Sequence, residues 1–284
     1  MSSLLRLAAH CPLRLLHALG ALAGWAVYLG SPRYRRYIGE NLRRAGFGAP
    51  AVCRAAVAES GKAVLELPAV WLRPLDAVAR LVVDEHGWHH IEAARRSGKG
   101  LILLTPHLGC WEIAGQYIAS RIPLTVMYSP PKLRALEPYM VAGRRRQNLK
   151  SVPADLSGVR AMLKALKRGE AIGMLPDQVP GVGEGEWVDF FGRPAYTMVL
   201  VSRLAEQTGA PVLTVFAERL PGGRGYRFVV EPLLEARPPE SPVRALNRSL
   251  EQLIRRRPEQ YLWSYNRYKV PAGAAGPGDE AGAP

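Results

Sequence analysis

The chain has 284 residues, of which 48% are hydrophobic, so it can bury one substantial core and one large α/β domain is the default expectation. Its formal net charge of +14 points to an anionic partner, such as nucleic acid, an anionic membrane surface or an acidic protein, and charge alone does not choose among them. The three cysteines are odd in number, scattered and without metal-ligand spacing, which argues against a disulfide framework and suits a reducing compartment.

Near the N-terminus, the segment Leu15–Leu29 is apolar apart from His17. It is short for a membrane-spanning helix, which needs about 20 apolar residues, yet too apolar for an ordinary amphipathic surface helix. A cleaved signal peptide is the alternative, because Arg6 and Arg14 precede the apolar residues. Whether the segment spans a membrane or lies along its surface stays open.

Five arginines follow this segment directly: Arg33, Arg35, Arg36, Arg43 and Arg44. Guanidinium groups at this place would bind anionic lipid headgroups. By the positive-inside rule, they also place the following domain in the cytoplasm.

Apolar residues recur near helical spacing at residues 50–72, which predicts a helix up to Pro68. The next polar cluster, Asp84 to His90, has no nearby cysteine and no zinc-like helical pairing of ligands. We therefore interpret it as a solvated turn that leads into a helix at residues 91–96, and not as a metal site.

The stretch from Gly100 to Gly115 predicts a buried strand, a polar elbow and a helix. Leu101–Leu104 is an apolar run of strand length, and Thr105-Pro106 stops it. Side chains in an elbow of this kind project from the edge of a sheet into a cleft, so His107 is a candidate catalytic residue.

Glu112 is the candidate partner of His107. On one continuous helix, five residues correspond to about 140° of rotation, so the two side chains would not share a face. If the helix begins near Gly109, Glu112 lies in its first turn and could reach one imidazole nitrogen, which leaves the other free as a general base. On spacing alone, a capping carboxylate beside an unrelated histidine is the simpler interpretation.

A basic run, Gly143 to Arg146, follows a helix predicted from residue 133 to 141, and taken alone it is typical of a solvated face. An amphipathic helix at residues 156–168 and a buried strand at 171–175 come next. Asp177 follows that strand, and if the two strands are parallel it is a second acid at the edge where His107 lies. It would orient a hydroxyl or an arginine there, or cap a loop.

The rest of the chain continues the alternation of strands and helices. Gly181–Gly185 lacks the Gly-Lys-Ser/Thr ending of a phosphate-binding loop and predicts a mobile loop. Thr197 is interpreted as the N-cap of a helix at residues 198–207. Strands at 211–217 and 226–231, a basic helix at 244–256 and a Gly/Ala/Pro-rich tail typical of disorder complete the pattern. The alternation predicts a single open, mostly parallel α/β sheet flanked by helices.

Four blocks of sequence, in this order, resemble the late lipid A biosynthesis acyltransferases, the lauroyl and myristoyl transferases of the lysophospholipid acyltransferase superfamily. The blocks are His107-x4-Glu112, Leu175-Pro-Asp-Gln178, Phe190 to Thr197, and Arg257 to Trp263. The resemblance runs from about residue 10 to about residue 270. Four ordered blocks are much more specific than one His-x4-Glu motif.

The resemblance implies a glycerolipid acyltransferase-like fold with an N-terminal membrane-associated helix. It implies an anchor at residues 1–30, an acyltransferase domain at 31–270 and a disordered tail at 271–284. It also implies location at the cell inner membrane, with the catalytic domain on the cytoplasmic side.

The implied reaction transfers a fatty acyl chain from acyl carrier protein to a hydroxyl of a lipid A precursor of the Kdo-lipid IVA type, with no metal or cofactor. His107 would be the general base and Glu112 its partner. The implied substrate-binding residues are Arg144 and Arg146, which match an Arg-x-Arg beside the cleft, with Gly109, Trp111, Asp177 and Gln178.

Three further roles follow from the resemblance. Helix-start N–H groups near Gly109 and Cys110, or the guanidinium of Arg144, would stabilise the oxyanion. Phe190 and Phe191 could line a groove for the acyl chain. A basic face at residues 160–168 or 244–257 could steer the acidic carrier protein.

Two alternatives remain open at this point. One is a membrane acyltransferase with another acceptor, or a thioesterase that uses water. The other is a nucleic-acid-binding protein, which only the net charge suggests, because the chain has no recognisable DNA- or RNA-binding motif.

Overall fold

The structure, a computed structural model, describes residues 2–128, 137–146 and 148–277, with side chains from residue 5 onward. Helices occupy Ser2–His10 (α1), Leu13–Gly30 (α2), Pro32–Arg44 (α3), Pro50–Leu65 (α4), Leu67–Leu72 (α5), Leu75–Ala79 (α6), Trp88–Arg96 (α7), Trp111–Ala119 (α8), Glu137–Arg144 (α9), Leu156–Lys167 (α10), Leu200–Thr208 (α11) and Pro242–Arg256 (α12). Strands occupy Val82–His86 (β1), Leu101–Leu104 (β2), Leu124–Tyr128 (β3), Leu149–Pro153 (β4), Ala171–Met174 (β5), Gly185–Phe190 (β6), Arg193–Met198 (β7), Val212–Arg219 (β8) and Tyr226–Pro232 (β9). The first residues of the helix predicted at 133–141 and residues 278–284 of the predicted tail lie outside the described residues.

Seven of these strands form one sheet in the order β1-β9-β8-β2-β5-β3-β4. Neighbouring strands are parallel except β8 and β9, which are antiparallel. The prediction of an open, mostly parallel sheet flanked by helices is therefore confirmed.

The central strand β2 is buried along its whole length. Leu101 and Leu103 pack in the cluster that contains Ile113 of α8. Ile102 and Leu104 pack on the opposite face with residues of α10 and α11. Because alternate side chains of a strand point to opposite faces, a four-residue apolar run serves two cores at once.

Three sequence predictions of local structure are wrong. The cluster from Asp84 to His90 is not one turn, because β1 extends to His86 and α7 already begins at Trp88. The helix predicted across residues 50–72 is divided into α4 and α5, which meet at Glu66. Thr197 is not an N-cap: it is buried in β7, which pairs with β6 as an antiparallel hairpin, and α11 begins only at Leu200. The Thr197 hydroxyl accepts hydrogen bonds from Asn247 at 3.0 Å and Arg267 at 2.6 Å, and these distant partners left no local sequence signal.

Helix α2 packs closely along α4 through glycines. A Cβ atom added to Gly61 of α4 would lie 1.9 Å from the Gly20 carbonyl oxygen, and one added to Gly24 would lie 2.3 Å from the Val57 carbonyl oxygen. The same side of α2 buries Leu16 and His17. The N-terminal helix is thus packed against the rest of the fold.

The opposite side of α2 carries an exposed apolar stripe. Its members recur at helical spacing: Leu15, Leu19, Leu22 and Leu29. Among the described residues, α2 is the one helix long and apolar enough to cross a membrane, with a mean hydropathy of 1.3 over 18 residues. Helix α2 therefore has two apolar sides, one packed against the protein and one exposed.

We expect Gly61→Ala to lower the free energy of unfolding by about 1–3 kcal/mol, because its new Cβ has no room beside Gly20. Gly115→Ala in α8 is the matched control, since a Cβ there meets nothing within 4 Å. Removing that helical glycine should be neutral or stabilising by up to about 1 kcal/mol. Chemical denaturation measures both variants, and equal stabilities would contradict the close packing of α2 on α4.

Candidate active site

The predicted elbow and the predicted second acid meet at one edge of the sheet. β2 and β5 are adjacent and parallel, with Leu104 paired to Met174, so the residues after them leave the sheet side by side. His107 follows β2, and Asp177 follows β5. This edge is where ligands bind in open α/β sheets.

Asp177 holds His107 through two hydrogen bonds. The imidazole Nδ1 lies 2.9 Å from Asp177 Oδ1, and the backbone N–H of His107 donates to Oδ2 at 2.8 Å. A carboxylate only accepts hydrogen bonds, so Nδ1 carries the ring proton. The lone pair on Nε2 then faces the Gln178 side-chain amide, whose nitrogen lies 3.2 Å away.

Asp177 is 2% exposed and remains ionised. Burial opposes its charge, but the adjacent His107 and the hydrogen bonds from its ring and backbone outweigh this, so the pKa of Asp177 is lowered. A histidine with one nitrogen on a carboxylate and the other accessible is the arrangement of a general base.

Glu112 is not the hydrogen-bond partner of His107, and that part of the sequence prediction is wrong. Its carboxylate accepts hydrogen bonds from Trp71 Nε1 at 2.9 Å and from the Arg144 guanidinium. The physical reason is the position of the helix start. α8 begins at Trp111, two residues later than predicted, and the Trp111 ring lies beside the imidazole with centroids 5.0 Å apart.

The Glu112–Arg144 ion pair is buried close to His107. Burial opposes ionisation of Glu112, but Arg144 outweighs it and the pKa of Glu112 is lowered, with smaller contributions from Trp71 and His107. The pair fixes one guanidinium at the mouth of the cleft. An anionic or developing negative oxygen there would meet a pre-positioned cation.

Arg146 has a different environment from Arg144. Its guanidinium donates to the backbone carbonyls of Gly143 at 2.8 Å, Trp71 at 3.0 Å and Arg73 at 2.8 Å. These bonds connect the end of α9 to the end of α5. The structure therefore gives Arg146 a structural use that the sequence did not predict.

The predicted oxyanion donors after the elbow are already occupied. Gly109 N–H donates to the Gln260 carbonyl oxygen at 3.1 Å, and Cys110 N–H donates to the Ala217 carbonyl oxygen at 2.9 Å. Gly109 has φ of +60°, and a Cβ there would lie 2.1 Å from the Ala217 carbonyl oxygen, so only glycine fits. Of the oxyanion donors that the sequence predicted, only the guanidinium of Arg144 is left.

Cys110 is buried, and its environment is unsuited to a nucleophile. Burial and the negative charge of Glu66 raise the pKa of its thiol well above the usual value. A thiol that stays protonated attacks poorly, so Cys110 is unsuited to covalent catalysis.

Phe190 and Phe191 do not line the cleft. They pack with Phe47 and Trp263 in a core cluster that also contains Leu250 of α12. An apolar crevice lies elsewhere, between α8 and the sheet. Side chains and glycines of both surfaces line it: Leu103, Gly115, Ile118, Val126, Gly173 and Val215.

The crevice begins at the catalytic edge, because Thr105, Trp111 and Glu112 also line it. It holds about 60 Å³ in this conformation. Through Leu124, Leu149 and Arg144 it adjoins a cavity of about 700 Å³ between α9 and strands β3 and β4. The apolar crevice therefore starts among residues close to His107 in the chain and continues into a larger cavity with a more polar lining.

Sequence reasoning missed Trp71 and Gln260, which shape the site from distant segments. Trp71 carries no local signal of this role. Gln260 lies within the fourth block of resemblance, Arg257 to Trp263, which was the one available indication. In the structure that block lies beneath the elbow, where Leu262 N–H donates to the His107 carbonyl oxygen at 3.0 Å.

Comparison with known proteins gives a consistent result. The profile of a family described as bacterial lipid A biosynthesis acyltransferase matches residues 3–270. The lipid A biosynthesis palmitoleoyltransferase of Escherichia coli is 30% identical over 213 residues, which cover 74% of this chain and 69% of that protein. The phosphatidylinositol mannoside acyltransferase of Mycobacterium tuberculosis is 29% identical over 176 residues, or 61% of this chain and 54% of that protein. Among solved structures, the 1-acyl-sn-glycerophosphate acyltransferase PlsC from Thermotoga maritima aligns with a TM-score of 0.37 and 16% identity, covering 86% of this chain and 94% of that one.

We expect Arg146→Met to lower the free energy of unfolding by about 2 kcal/mol, because three backbone carbonyls lose a charged donor. Arg145→Met is the matched control: Arg145 is exposed, and its loss should change stability by less than about 0.5 kcal/mol. Thermal and denaturant unfolding compare the two variants. If Arg146→Met were as stable as Arg145→Met, Arg146 would be available for substrate after all.

Proposed function

The chain belongs to the bacterial lipid A biosynthesis acyltransferase family, and on that premise we propose the details of its reaction. It transfers a fatty acyl chain from acyl carrier protein to a hydroxyl of a lipid A precursor of the Kdo-lipid IVA type, at the cytoplasmic side of the inner membrane. The observation that carries this proposal is the Asp177–His107 pair, whose second imidazole nitrogen faces the Gln178 amide, next to chain neighbours Thr105 and Trp111 that line an apolar crevice.

His107 acts as the general base. The acceptor hydroxyl takes the place of the Gln178 amide at Nε2 and gives its proton to that nitrogen as its oxygen attacks the thioester carbonyl. Asp177 stabilises the imidazolium that forms. When the tetrahedral intermediate collapses, the carbon–sulfur bond breaks, and the departing thiolate of the carrier takes the proton from Nε2. The products are an ester and a free carrier thiol.

Arg144 stabilises negative charge in this reaction, and Glu112 holds it in place. Glu112 thus keeps a catalytic contribution, through Arg144 and through its charge near His107, without bonding to the imidazole. Trp111 forms one wall beside the imidazole. The planar guanidinium of Arg144 can donate two hydrogen bonds, which suits both the oxyanion of the thioester and a phosphate of the acceptor.

The acyl chain lies in the crevice between α8 and the sheet. Its mouth lies beside Glu112, and its walls are apolar. A volume of about 60 Å³ is small for a fatty chain, so this proposal requires the crevice to widen when the donor binds. The Gly115 position faces open space, and one helical turn separates it from Glu112.

The acidic carrier docks on α10. Arg160, Lys164 and Lys167 are exposed along one side of this helix, which begins just after the end of β4 at the catalytic edge. The alternative basic helix, α12, has arginines that already pair with acids: Arg244 with Glu251, Arg248 with Glu240 and Arg256 with Glu231. The less neutralised face attracts an acidic partner more strongly.

The N-terminal segment lies along the membrane surface. The leucine stripe of α2 enters the apolar layer, while Arg33, Arg35 and Arg36 of α3 are exposed to anionic headgroups. Crossing the bilayer would require α2 to leave α4 and expose its buried side, including His17. We therefore propose surface association and not a span for residues 1–30.

We expect His107→Ala and Asp177→Asn each to cut turnover by at least about 100-fold, as for a general base and its orienting partner. The double variant should be little worse than His107→Ala, since the two residues act as a unit. Asp84→Asn, a surface carboxylate paired with Arg227, is the control and should be near wild type. Acyl incorporation into the lipid A precursor, followed by mass spectrometry, measures each rate.

This assay also decides donor and acceptor. Acyl carrier protein and acyl-coenzyme A are compared as donors, and a phosphatidylinositol mannoside is offered as a second acceptor. Faster acylation of the mannoside would replace the proposed acceptor. Additive losses for His107→Ala and Asp177→Asn would contradict their joint action.

We expect Gly115→Leu to shift the product toward shorter acyl chains, because a side chain at this position enters the crevice. Gly115→Ala adds one methyl group and is the graded control. Competition between acyl donors of different lengths, with products separated by mass, measures the preference. An unchanged chain-length profile in Gly115→Leu would place the acyl chain elsewhere.

A further inference from the structure

Behind the elbow lies a buried ionic cluster that the reaction described above does not use. Arg219 and Glu66 form its centre and are 3% and 0% exposed. His17 of α2, Glu59 of α4 and Tyr226 of β9 surround them. The cluster therefore joins the N-terminal helix to the end of β8.

Glu66 receives donors from three directions. Arg219 donates to both carboxylate oxygens, at 2.8 and 2.6 Å, and the Tyr226 hydroxyl donates at 2.8 Å. His17 Nε2 lies 3.1 Å from the same carboxylate. The third guanidinium nitrogen of Arg219, Nη1, donates to Glu59 at 2.7 Å, so the guanidinium has carboxylates on two sides.

One bond of Arg219 leaves the cluster and reaches the elbow. Its Nη2 donates to the Gly109 carbonyl oxygen at 3.1 Å. Gly109 is two residues after His107 and has a positive φ, which glycine adopts without strain. The backbone of Arg219 also exchanges two hydrogen bonds with the Gln260 side chain, at 2.8 and 2.9 Å, and the Gln260 carbonyl accepts from Gly109 N–H.

A buried ion cluster is a poor way to gain stability alone. Well-packed apolar side chains of similar size often stabilise a core as well or better, because they avoid the cost of desolvating charges. Apolar side chains could not donate to the Gly109 carbonyl. The cluster therefore supplies a fixed donor to the carbonyl of Gly109.

We propose that Arg219 is a positioning residue for His107, and that His17 completes the cluster that holds Arg219 in place. On this view α2 belongs to the catalytic unit and is more than a membrane contact. If residues 1–30 were only a membrane anchor, their removal would leave turnover of a dispersed acceptor unchanged. If α2 belongs to the catalytic unit, the same removal is expected to lower that turnover. The turnover readout rests on the proposed function.

The test uses the full chain in detergent with a dispersed acceptor. Arg219→Lys keeps the charge but loses the fork that reaches Glu66, Glu59 and Gly109 together. His17→Ala is the milder variant, and His17→Gln restores a donor. Arg227→Lys is the control, since Arg227 pairs with Asp84 and Glu218 away from the elbow.

We expect Arg219→Lys and His17→Ala to lower kcat by about 10- to 100-fold with acceptor KM unchanged, as for a misplaced catalytic group. His17→Gln should recover most of the loss, and Arg227→Lys should match wild type. The proposal would be overturned if kcat fell only in proportion to the fraction of folded protein. It would also be overturned if both His17→Ala and Arg219→Lys kept a normal kcat.

A second readout does not depend on turnover. Cys110 is buried directly after Gly109, so its alkylation rate, in a Cys11→Ser/Cys53→Ser background, reports opening of the elbow. We expect Arg219→Lys and His17→Ala to raise this rate about tenfold or more while vesicle binding is unchanged. Leu22→Ser, on the exposed side of α2, should weaken vesicle binding and leave alkylation unchanged.

The two readouts separate the two proposals. If the wild-type chain acylates no lipid A precursor, the proposed function fails, and alkylation of Cys110 still decides whether the cluster holds the elbow. If wild type is active and alkylation is the same in every variant, the positioning role of Arg219 fails alone.

Discussion

The parallel pairing of β2 with β5 is the constraint on which the site depends. Parallel neighbours end at the same edge of a sheet, so the residue that follows one strand is delivered to the residue that follows the other. His107 and Asp177 are 70 positions apart in the chain, yet their side chains lie 2.9 Å apart. The buried apolar strands hold this spacing because their side chains pack against helices on both faces, and the register cannot slip without exposing them.

The elbow is a segment whose backbone groups are nearly all committed to support. The N–H groups of Gly109 and Cys110 and the carbonyl of His107 are bonded to β8 and to the segment around Gln260. A rigid elbow orients the imidazole well, but it takes up the N–H groups of Gly109 and Cys110, which therefore cannot serve a developing oxyanion. In the proposed reaction the guanidinium of Arg144 stabilises this charge, and Glu112, which also bonds to Trp71, holds that guanidinium. Two carboxylates thus lie near one histidine with different tasks, since one bonds to its ring and the other to a neighbouring cation.

Helix α2 shows how one apolar segment can serve two surfaces. Its glycine-rich side packs against α4, where backbones approach too closely for any Cβ, while its leucine side stays exposed. Hydropathy averages over both sides and so cannot separate a spanning helix from one that lies between a protein and a membrane surface. The proposed surface association keeps the buried His17–Glu66 contact, which would be lost if the helix moved into the bilayer.

By itself, the sequence determined the alternation of strands and helices and the elbow after β2, since apolar periodicity and strand ends are local properties. It placed His107 and Asp177 at one edge only on the condition that β2 and β5 are parallel, which the tertiary structure supplies. It also carried the four ordered blocks from which the family was recognised. Only the tertiary structure decided that Asp177 and not Glu112 bonds to the imidazole, that Arg146 serves backbone carbonyls, and that Phe190 and Phe191 belong to a core instead of a groove. Each of these depends on a contact between segments far apart in the chain. Arg219 and Gly109 are 110 residues apart, and the local sequence around neither residue indicates the hydrogen bond between them. Packing, and not position along the chain, sets which distant residues meet.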